Sequence, residues 1–291
     1  MKVAVYGREF REPFDQSILD MIHWLVQHED NLVFFEPFLT FLQGRPGLQG
    51  TYGSFVHHHD LKGCDLLISI GGDGTLLDTV LMVRDSGIPI LGINTGRLGF
   101  LSNIPTDEIS EALQAVRESR VVVDERSLIR VEADGIDLGD FPFALNEVTV
   151  QKKELASMVT VHAYHEHRYI NTYWADGLIV ATPTGSTAYS LSCGGPIVTP
   201  DSENLIITPI APHNLNVRPV VLPNSRKLRL RADGRAAEYL LTLDSRTFIL
   251  PASTDVYLTT SPFKITLLNL EHQHFFQTIR HKMMWGIDKR N

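Results

Sequence analysis

The sequence predicts an α/β domain built on a parallel sheet, followed by an antiparallel β domain. Three observations carry that expectation. Up to about residue 118, short apolar runs alternate with stretches whose apolar residues recur at helical spacing. From about residue 120 the chain breaks into short alternating runs separated by turn dipeptides such as Asp134-Gly135 and Asp233-Gly234. The length of 291 residues is enough for two cores. The boundary falls near 118–124, giving an α/β domain over 1–120 and a β domain over 121–274. The segment 275–291 is expected to return to the first domain.

In chain order, residues 2–7 read as a strand and 15–29 as a helix with Ile18, Leu19, Ile22, Leu25 and Val26 on one face. Residues 32–37 then complete a β-α-β opening. The segment 38–60 holds Gly44, Pro46, Gly47, Gly50 and Gly53, and reads as an irregular lobe, a flap beside the active site. A buried strand over Asp65–Ile70 leads into Gly71-Gly72-Asp73-Gly74-Thr75. A helix over Leu76–Asp85, a strand over Ile88–Ile93 and a helix over Asp107–Glu118 follow. In the second region the alternating runs are Ser127–Ala133, Glu147–Lys152, Val159–His165, Lys227–Arg231, Tyr239–Leu243 and Val256–Thr260. A helical interruption lies at 185–193.

A formal charge of −8 and a pI near 5.8 offer no electrostatic footing for nucleic acid or a membrane surface. Cys64 and Cys193 are too few and too far apart for a disulfide framework or a zinc pattern. The opening Met1–Gly7 reads as a strand rather than a signal peptide, and no apolar stretch reaches membrane-spanning length, so a cytoplasmic protein is expected. His57-His58-His59, His165-Glu166-His167 and His272/His274 invite a metal reading. None has four ligands at zinc spacing, so solvated histidines are the better reading and no protein-held metal is expected.

Glycines at a strand end and a helix mouth suit a phosphate, because backbone N–H groups and the helix dipole face it. The Walker pattern is absent, and Leu77 stands where a dinucleotide fingerprint needs its third glycine. Asp73 is the oddity, a carboxylate where an anion is expected, unless it meets a metal or a hydroxyl proton. A second cluster runs from Ala175-Asp176-Gly177 through Thr182-Pro183-Thr184-Gly185-Ser186-Thr187-Ala188-Tyr189-Ser190-Leu191-Ser192 to Gly194-Gly195-Pro196. Its hydroxyls and free N–H groups suit phosphate and sugar, and Tyr189 offers a flat face to a base. Turns and helix caps are the bland alternative for its parts. Asn146-Glu147, at a strand start, has the groups to read ribose hydroxyls or an adenine edge.

These blocks, together with Ile93-Asn94-Thr95-Gly96-Arg97-Leu98-Gly99-Phe100-Leu101, resemble the NAD kinase family, the ATP-dependent enzymes that phosphorylate NAD to NADP. The resemblance spans residues 65–200 and implies a Rossmann-like N-terminal domain and a β-sandwich C-terminal domain. It implies that Asp73 is the catalytic proton acceptor, with Gly72 and Gly74 beside the dinucleotide; hydrogen bonds from the glycine-loop N–H groups are expected to keep that carboxylate ionised. Asn146 and Glu147 would contact the adenosine portion. Thr187, Ala188, Tyr189, Ser190, Leu191 and Ser192 belong to the block lining the adenine and ribose pocket, and Asp176 would hold the nicotinamide riboside. Arg246 sits where glutamine is common, and Trp174 where a basic or polar residue is common; both bear on nicotinamide-side contacts. The family also implies a divalent metal, Mg²⁺ with ATP, and a homodimer or homotetramer. A lipid or sugar-phosphate kinase sharing the GGDGT loop, or a non-catalytic NAD sensor, are the competing readings.

Overall fold

The structure is a computed structural model describing residues 1–11, 14–96, 99–154 and 158–285. Arg97 and Leu98 of the Ile93–Leu101 motif, and the terminal residues 286–291, lie outside the described residues. The chain divides into two compact units, residues 1–125 with 265–291, and residues 126–264.

In the first unit the chain runs β1 (Lys2–Gly7), α1 (Asp15–Gln27), β2 (Asn31–Phe35), α2 (Glu36–Gln43), β3 (Gly53–Phe55), β4 (Leu66–Ile70), α3 (Asp73–Val83), β5 (Ile90–Asn94), β6 (Ile104–Pro105) and α4 (Ile109–Arg117). The sheet is parallel, in the order β5-β4-β1-β2-β3, with Leu267 and Leu268 pairing parallel to the outer side of β5. β4 and β5 are buried along their whole length, as continuous apolar strands in a covered parallel sheet are. One face packs Val3, Val5 and Ile68 against Ile18 and Ile22 of α1, Phe38 of α2 and Leu113 of α4. On the opposite face Ser69 is bonded to Thr79 of α3 at 2.9 Å. The connection from β1 leads one way along the sheet and that from β4 the other. The order therefore reverses between β1 and β4, the place where open α/β sheets bind ligands.

Two sequence expectations change here. The segment 38–60 is not an irregular lobe. Pro37 stands at the start of α2, where its missing N–H costs nothing, and Phe38, Leu39 and Leu42 turn one face of that helix into the core. β3 then adds parallel to β2, and only the connection carrying the glycines is irregular. The helix after the glycine loop also starts at Asp73 rather than Leu76. Gly72 is its N-cap, and its carbonyl accepts the Leu76 N–H at 3.1 Å.

In the second unit the strands are β7 (Val122–Ala133, its first residues in the first unit), β8 (Phe143–Ala144), β9 (Glu147–Lys152), β10 (Val159–His165), β11 (Arg168–Ala175), β12 (Gly177–Ala181), β13 (Asn204–Ile210), β14 (Val220–Pro223), β15 (Leu228–Asp233), β16 (Glu238–Leu243), β17 (Arg246–Pro251) and β18 (Asp255–Asn269). A 3₁₀ turn over Thr184–Thr187 and the short α5 (Tyr189–Ser192) interrupt them. One sheet is antiparallel in the order β14-β13-β12-β9-β16-β17; facing it, β11, β10, β15 and β18 pair antiparallel. Val148, Val150, Leu178, Val180 and Leu241 from the first meet Val159, Val161, Leu230 and Val256 from the second in one core, which makes the unit a β-sandwich.

β18 runs on into the first unit, and α6 (Phe275–Met283) follows there with Ile279 buried. The Lys282 ammonium lies 4.4 Å from the centre of the Phe100 ring. No described helix is long and apolar enough to cross a membrane.

Candidate functional site

Asp73 opens α3, and its side chain turns to the segment after β5. Phe100 N–H donates to Oδ2 at 2.8 Å, and Leu101 and Ser102 N–H donate to Oδ1 at 3.0 Å each. The donors expected from the glycine loop thus come from residues 100–102. Glycine is required at position 99, because a Cβ there would collide with the Asp73 carboxylate. Asn94 holds the same segment from below, its Nδ2 donating to Ser102 O at 3.0 Å and its Oδ1 accepting from Gly96 N–H at 2.8 Å. A carboxylate offers about four acceptor positions. Among the described residues three are used, two on Oδ1 and one on Oδ2, which leaves one direction on Oδ2 without a described donor.

The three loop glycines serve different ends. Gly71 has φ +154°, and a Cβ there would run into the Thr75 side chain. Gly72 has an ordinary φ of −96°, and a Cβ at Gly72 or Gly74 would meet none of the described residues within 4 Å. Among the described residues, neither packing nor backbone strain calls for glycine at those two positions.

In the second unit Asp244 organises the other cluster. It occupies the β16–β17 turn at φ +51°, and its buried carboxylate accepts N–H bonds from Leu145, Asn146 and Glu147 at 2.8, 2.8 and 3.1 Å. Burial pushes its carboxyl up, against the pull of those three N–H groups and of Arg246. Arg246 donates to Phe141 O at 2.6 Å and to Phe143 O, bracing the approach to Asn146. From the other side Thr182 N–H donates to Asn146 O at 2.8 Å, and Thr182 Oγ1 to Leu145 O at 2.6 Å. Gly185 rests on the Asn146 carbonyl so closely that any Cβ would overlap it.

Glu147 therefore starts β9 beneath the Thr184–Thr187 turn. Burial, with the Asp244 charge behind it, raises its pKa to about 8, opposed by the Tyr189 N–H. Its Oε2 is buried and bonded to none of the described residues. The Tyr189 hydroxyl meets the Cys193 thiol, and burial, Cys193, Asp176 and Glu147 all raise its pKa. Asp176 lies where the chain leaves β11 for β12 in the facing sheet, so the Asp-Gly pair is a crossover rather than a hairpin turn. Its Oδ1 is paired with Lys152 Nζ at 2.7 Å.

The structure thus gathers Asn146, Glu147, Tyr189 and Asp176 around one another, with Ala188 next to Tyr189 and Arg246 behind them. Thr187 Oγ1 caps its own turn at Thr184 O, 3.2 Å away. The Ser190 hydroxyl is turned inward to Thr208 Oγ1 at 2.8 Å, whereas Leu191 is half-buried and Ser192 exposed. Asp73, Gly72 and Gly74 belong to the first unit. Among the described residues, no three His, Cys, Asp or Glu side chains form a group able to hold a metal ion.

The ATP-NAD kinase N-terminal domain matches residues 37–121, and the ATP-NAD kinase C-terminal domain matches residues 145–270. The chain belongs to the NAD kinase family. It is 44% identical to the NAD kinase of Flavobacterium psychrophilum over 294 aligned residues, and 37% identical to that of Bacteroides fragilis over 290, with 100% of each chain covered in both cases. Solved structures share its fold, among them two kinases of NAD or NADH. One is yeast NADH kinase complexed with NADH, at a TM-score of 0.87 and 22% identity, covering 99% of this chain and 88% of that one. The other is the Archaeoglobus fulgidus NAD kinase in complex with ATP, at a TM-score of 0.74 and 24% identity, covering 98% of each.

For this NAD kinase family member, three residues escaped the sequence reading. Asp244 stands two residues before Arg246, in a turn at left-handed φ that a short polar side chain tolerates. Gly99 and Gly185 lie inside recognised motifs, yet their necessity depends on what packs against them.

Proposed function

We infer that the chain transfers the γ-phosphoryl group of ATP to the 2′-hydroxyl of the adenosine ribose of NAD, giving NADP, with Asp73 as the proton acceptor. The observation that carries this reading is the Asp73 carboxylate itself, fixed by three N–H groups with one acceptor direction on Oδ2 left over among the described residues. The 2′-oxygen attacks the γ-phosphorus, the bond to the β–γ bridging oxygen breaks, ADP leaves, and the hydroxyl proton passes to Asp73. Phosphoryl transfer asks the protein chiefly for positioning and charge neutralisation. Mg²⁺ enters as part of the substrate, bound to the ATP phosphates, and supplies the neutralisation.

Gly72 and Gly74 let the phosphates approach the backbone. Asn146 and Glu147 read the adenosine; at neutral pH Glu147 holds a proton, so its unpartnered Oε2 has either a proton or a lone pair for a ribose hydroxyl. Tyr189 offers its ring to the adenine, with Thr187, Ala188, Ser190, Leu191 and Ser192 forming the surrounding turn. Asp176 takes the nicotinamide riboside. Arg246 acts at one remove, by positioning Asn146. The working protein in this reading is a cytoplasmic homodimer or homotetramer.

The test is direct. The protein is incubated with ATP, Mg²⁺ and NAD, and product is detected with an NADP-specific dehydrogenase. Absence of NADP with both ATP and polyphosphate as donors would overturn the reading. A stoichiometric loss of the 2′-hydroxyl, followed by NMR, fixes the position of transfer.

A further inference from the structure

The direction of the Asp73 carboxylate is set by residues 100–102, whose three N–H groups donate to it. Whatever holds that segment therefore aims Asp73. Asn94 holds it through Ser102 O. A second hold comes from the far end of the chain, which returns to the first unit and grips the stretch after β5 at two places. Just before α6, Gln273 Nε2 donates to Glu108 Oε2 at 2.7 Å, with His272 Nε2 3.2 Å from the same oxygen. Near the end of α6, the Lys282 ammonium stands over the Phe100 ring.

Between the two grips the packing opens. A cavity of about 250 Å³ is lined by Gln277, Thr278 and His281 of α6 and by Asn103 and Pro105. Asn103 Oδ1 is buried without a partner among the described residues. Over a close-packed interface many small contacts fix a helix; over a gap the contacts at its ends count for more. Lys282 is the grip nearest the carboxylate, because Phe100 is the residue whose N–H reaches Asp73 Oδ2. A cation over an aromatic face is attracted by the quadrupole of the ring. An ammonium held there keeps the ring, and with it the Phe100 N–H, in one place.

We propose that α6 helps to aim Asp73, with Lys282 a positioning residue that acts through Phe100. The assignment rests on the reading of Asp73 as proton acceptor. Without the grip residue 100 tilts, Oδ2 loses its fixed direction, and the carboxylate meets the 2′-hydroxyl out of line. Misplacement of that kind costs rate.

The full chain is compared with its Lys282→Met, Lys282→Arg, Phe100→Leu and Lys282→Met/Phe100→Leu variants. The single-turnover rate of NADP formation is measured with KM for ATP and for NAD, and the Phe100 amide is followed by ¹H–¹⁵N NMR in the absence of substrates. Lys282→Met is expected to lower the rate about two- to fivefold, the loss of one exposed cation–aromatic contact, with both KM values within about twofold of the parent. Lys282→Arg restores the rate, the Phe100 amide shifts in Lys282→Met, and in the Phe100→Leu background Lys282→Met costs nothing further. An unchanged rate in Lys282→Met overturns the proposal. So does a rate loss that Lys282→Arg does not relieve, that leaves the Phe100 amide unmoved, or that recurs in full beside Phe100→Leu. A raised KM at an unchanged rate overturns it too, by making Lys282 a substrate contact. A parent protein that makes no NADP, with the Phe100 amide still responding to Lys282→Met, removes the kinase reading and leaves the grip standing.

Discussion

Replacing Asp73 by asparagine changes one atom and separates its structural task from the catalytic one proposed for it. The carboxylate accepts three N–H bonds, two on Oδ1 and one on Oδ2. An asparagine that keeps its oxygen toward Leu101 and Ser102 turns its amide nitrogen against the Phe100 N–H, donor to donor. One unmade bond of this kind costs about 1–3 kcal/mol. The fold survives such a loss, with the melting temperature lowered by a few degrees. Chemistry loses more, because the variant has no group at that place to take the 2′-hydroxyl proton. General-base help is worth about 10²–10⁴-fold, or roughly 3–5 kcal/mol of barrier. Turnover measured by coupled NADP detection should fall by that factor while KM for NAD moves less than about threefold. Turnover within threefold of the parent would show that Asp73 is a structural cap for residues 100–102 and nothing more.

Other outcomes follow from the same geometry. Gly99→Ala forces a methyl group into the Asp73 carboxylate, and kcat should fall at least about tenfold with stability down by about 1–3 kcal/mol in urea unfolding. Asp244→Ala strands three buried N–H groups at once; chemical denaturation should show a loss of about 3 kcal/mol or more, with KM for NAD raised. Glu147 gives a pH signature. Its folded pKa of about 8 exceeds the ordinary carboxyl value of 4.5, so between those pH values the unfolded chain has released a proton that the folded chain still holds. The parent protein should therefore lose stability as pH rises through that window, and Glu147→Gln should flatten the loss by about 1 kcal/mol or more. Parallel melting profiles for parent and variant from pH 5 to pH 8 would refute it.

The elements most legible in the sequence were those whose pattern is local. β9 and β10 are legible with their observed bounds because apolar and polar residues alternate along each sequence, although in β9 Thr149 is buried together with Val148 and Val150. β4 was visible as an unbroken apolar run closed by glycines. α2 was obscured because the apolar end of β2 runs directly into Phe38 and Leu39, and because five glycines and prolines soon after suggested irregular chain. The start of α3 was placed late since glycine is a poor helix former, yet the first turn of a helix has unpaired N–H groups in any case. The recognised motifs singled out Asp73, Asn146, Glu147 and Tyr189 as candidates. What holds those residues was not local. The partners of Asp73 lie 27 to 29 residues away, and the residues that Asp244 ties lie 97 to 99 away.

The pairing of Leu267 and Leu268 with β5 has a consequence for synthesis on the ribosome. The first unit does not close on itself in order: its outermost partner strand is translated only after residues 126–264 have emerged. Until then β5, paired by β6 only at Ile93 and Asn94, presents backbone donors and acceptors beside the buried Ile90 and Leu91. A nascent chain arrested near residue 125 therefore carries an adhesive strand edge, and the β-sandwich has time to fold while that edge waits for its cover. Expression of residues 1–125 alone should yield an aggregating fragment, and supplying 265–291 in trans should lessen the aggregation.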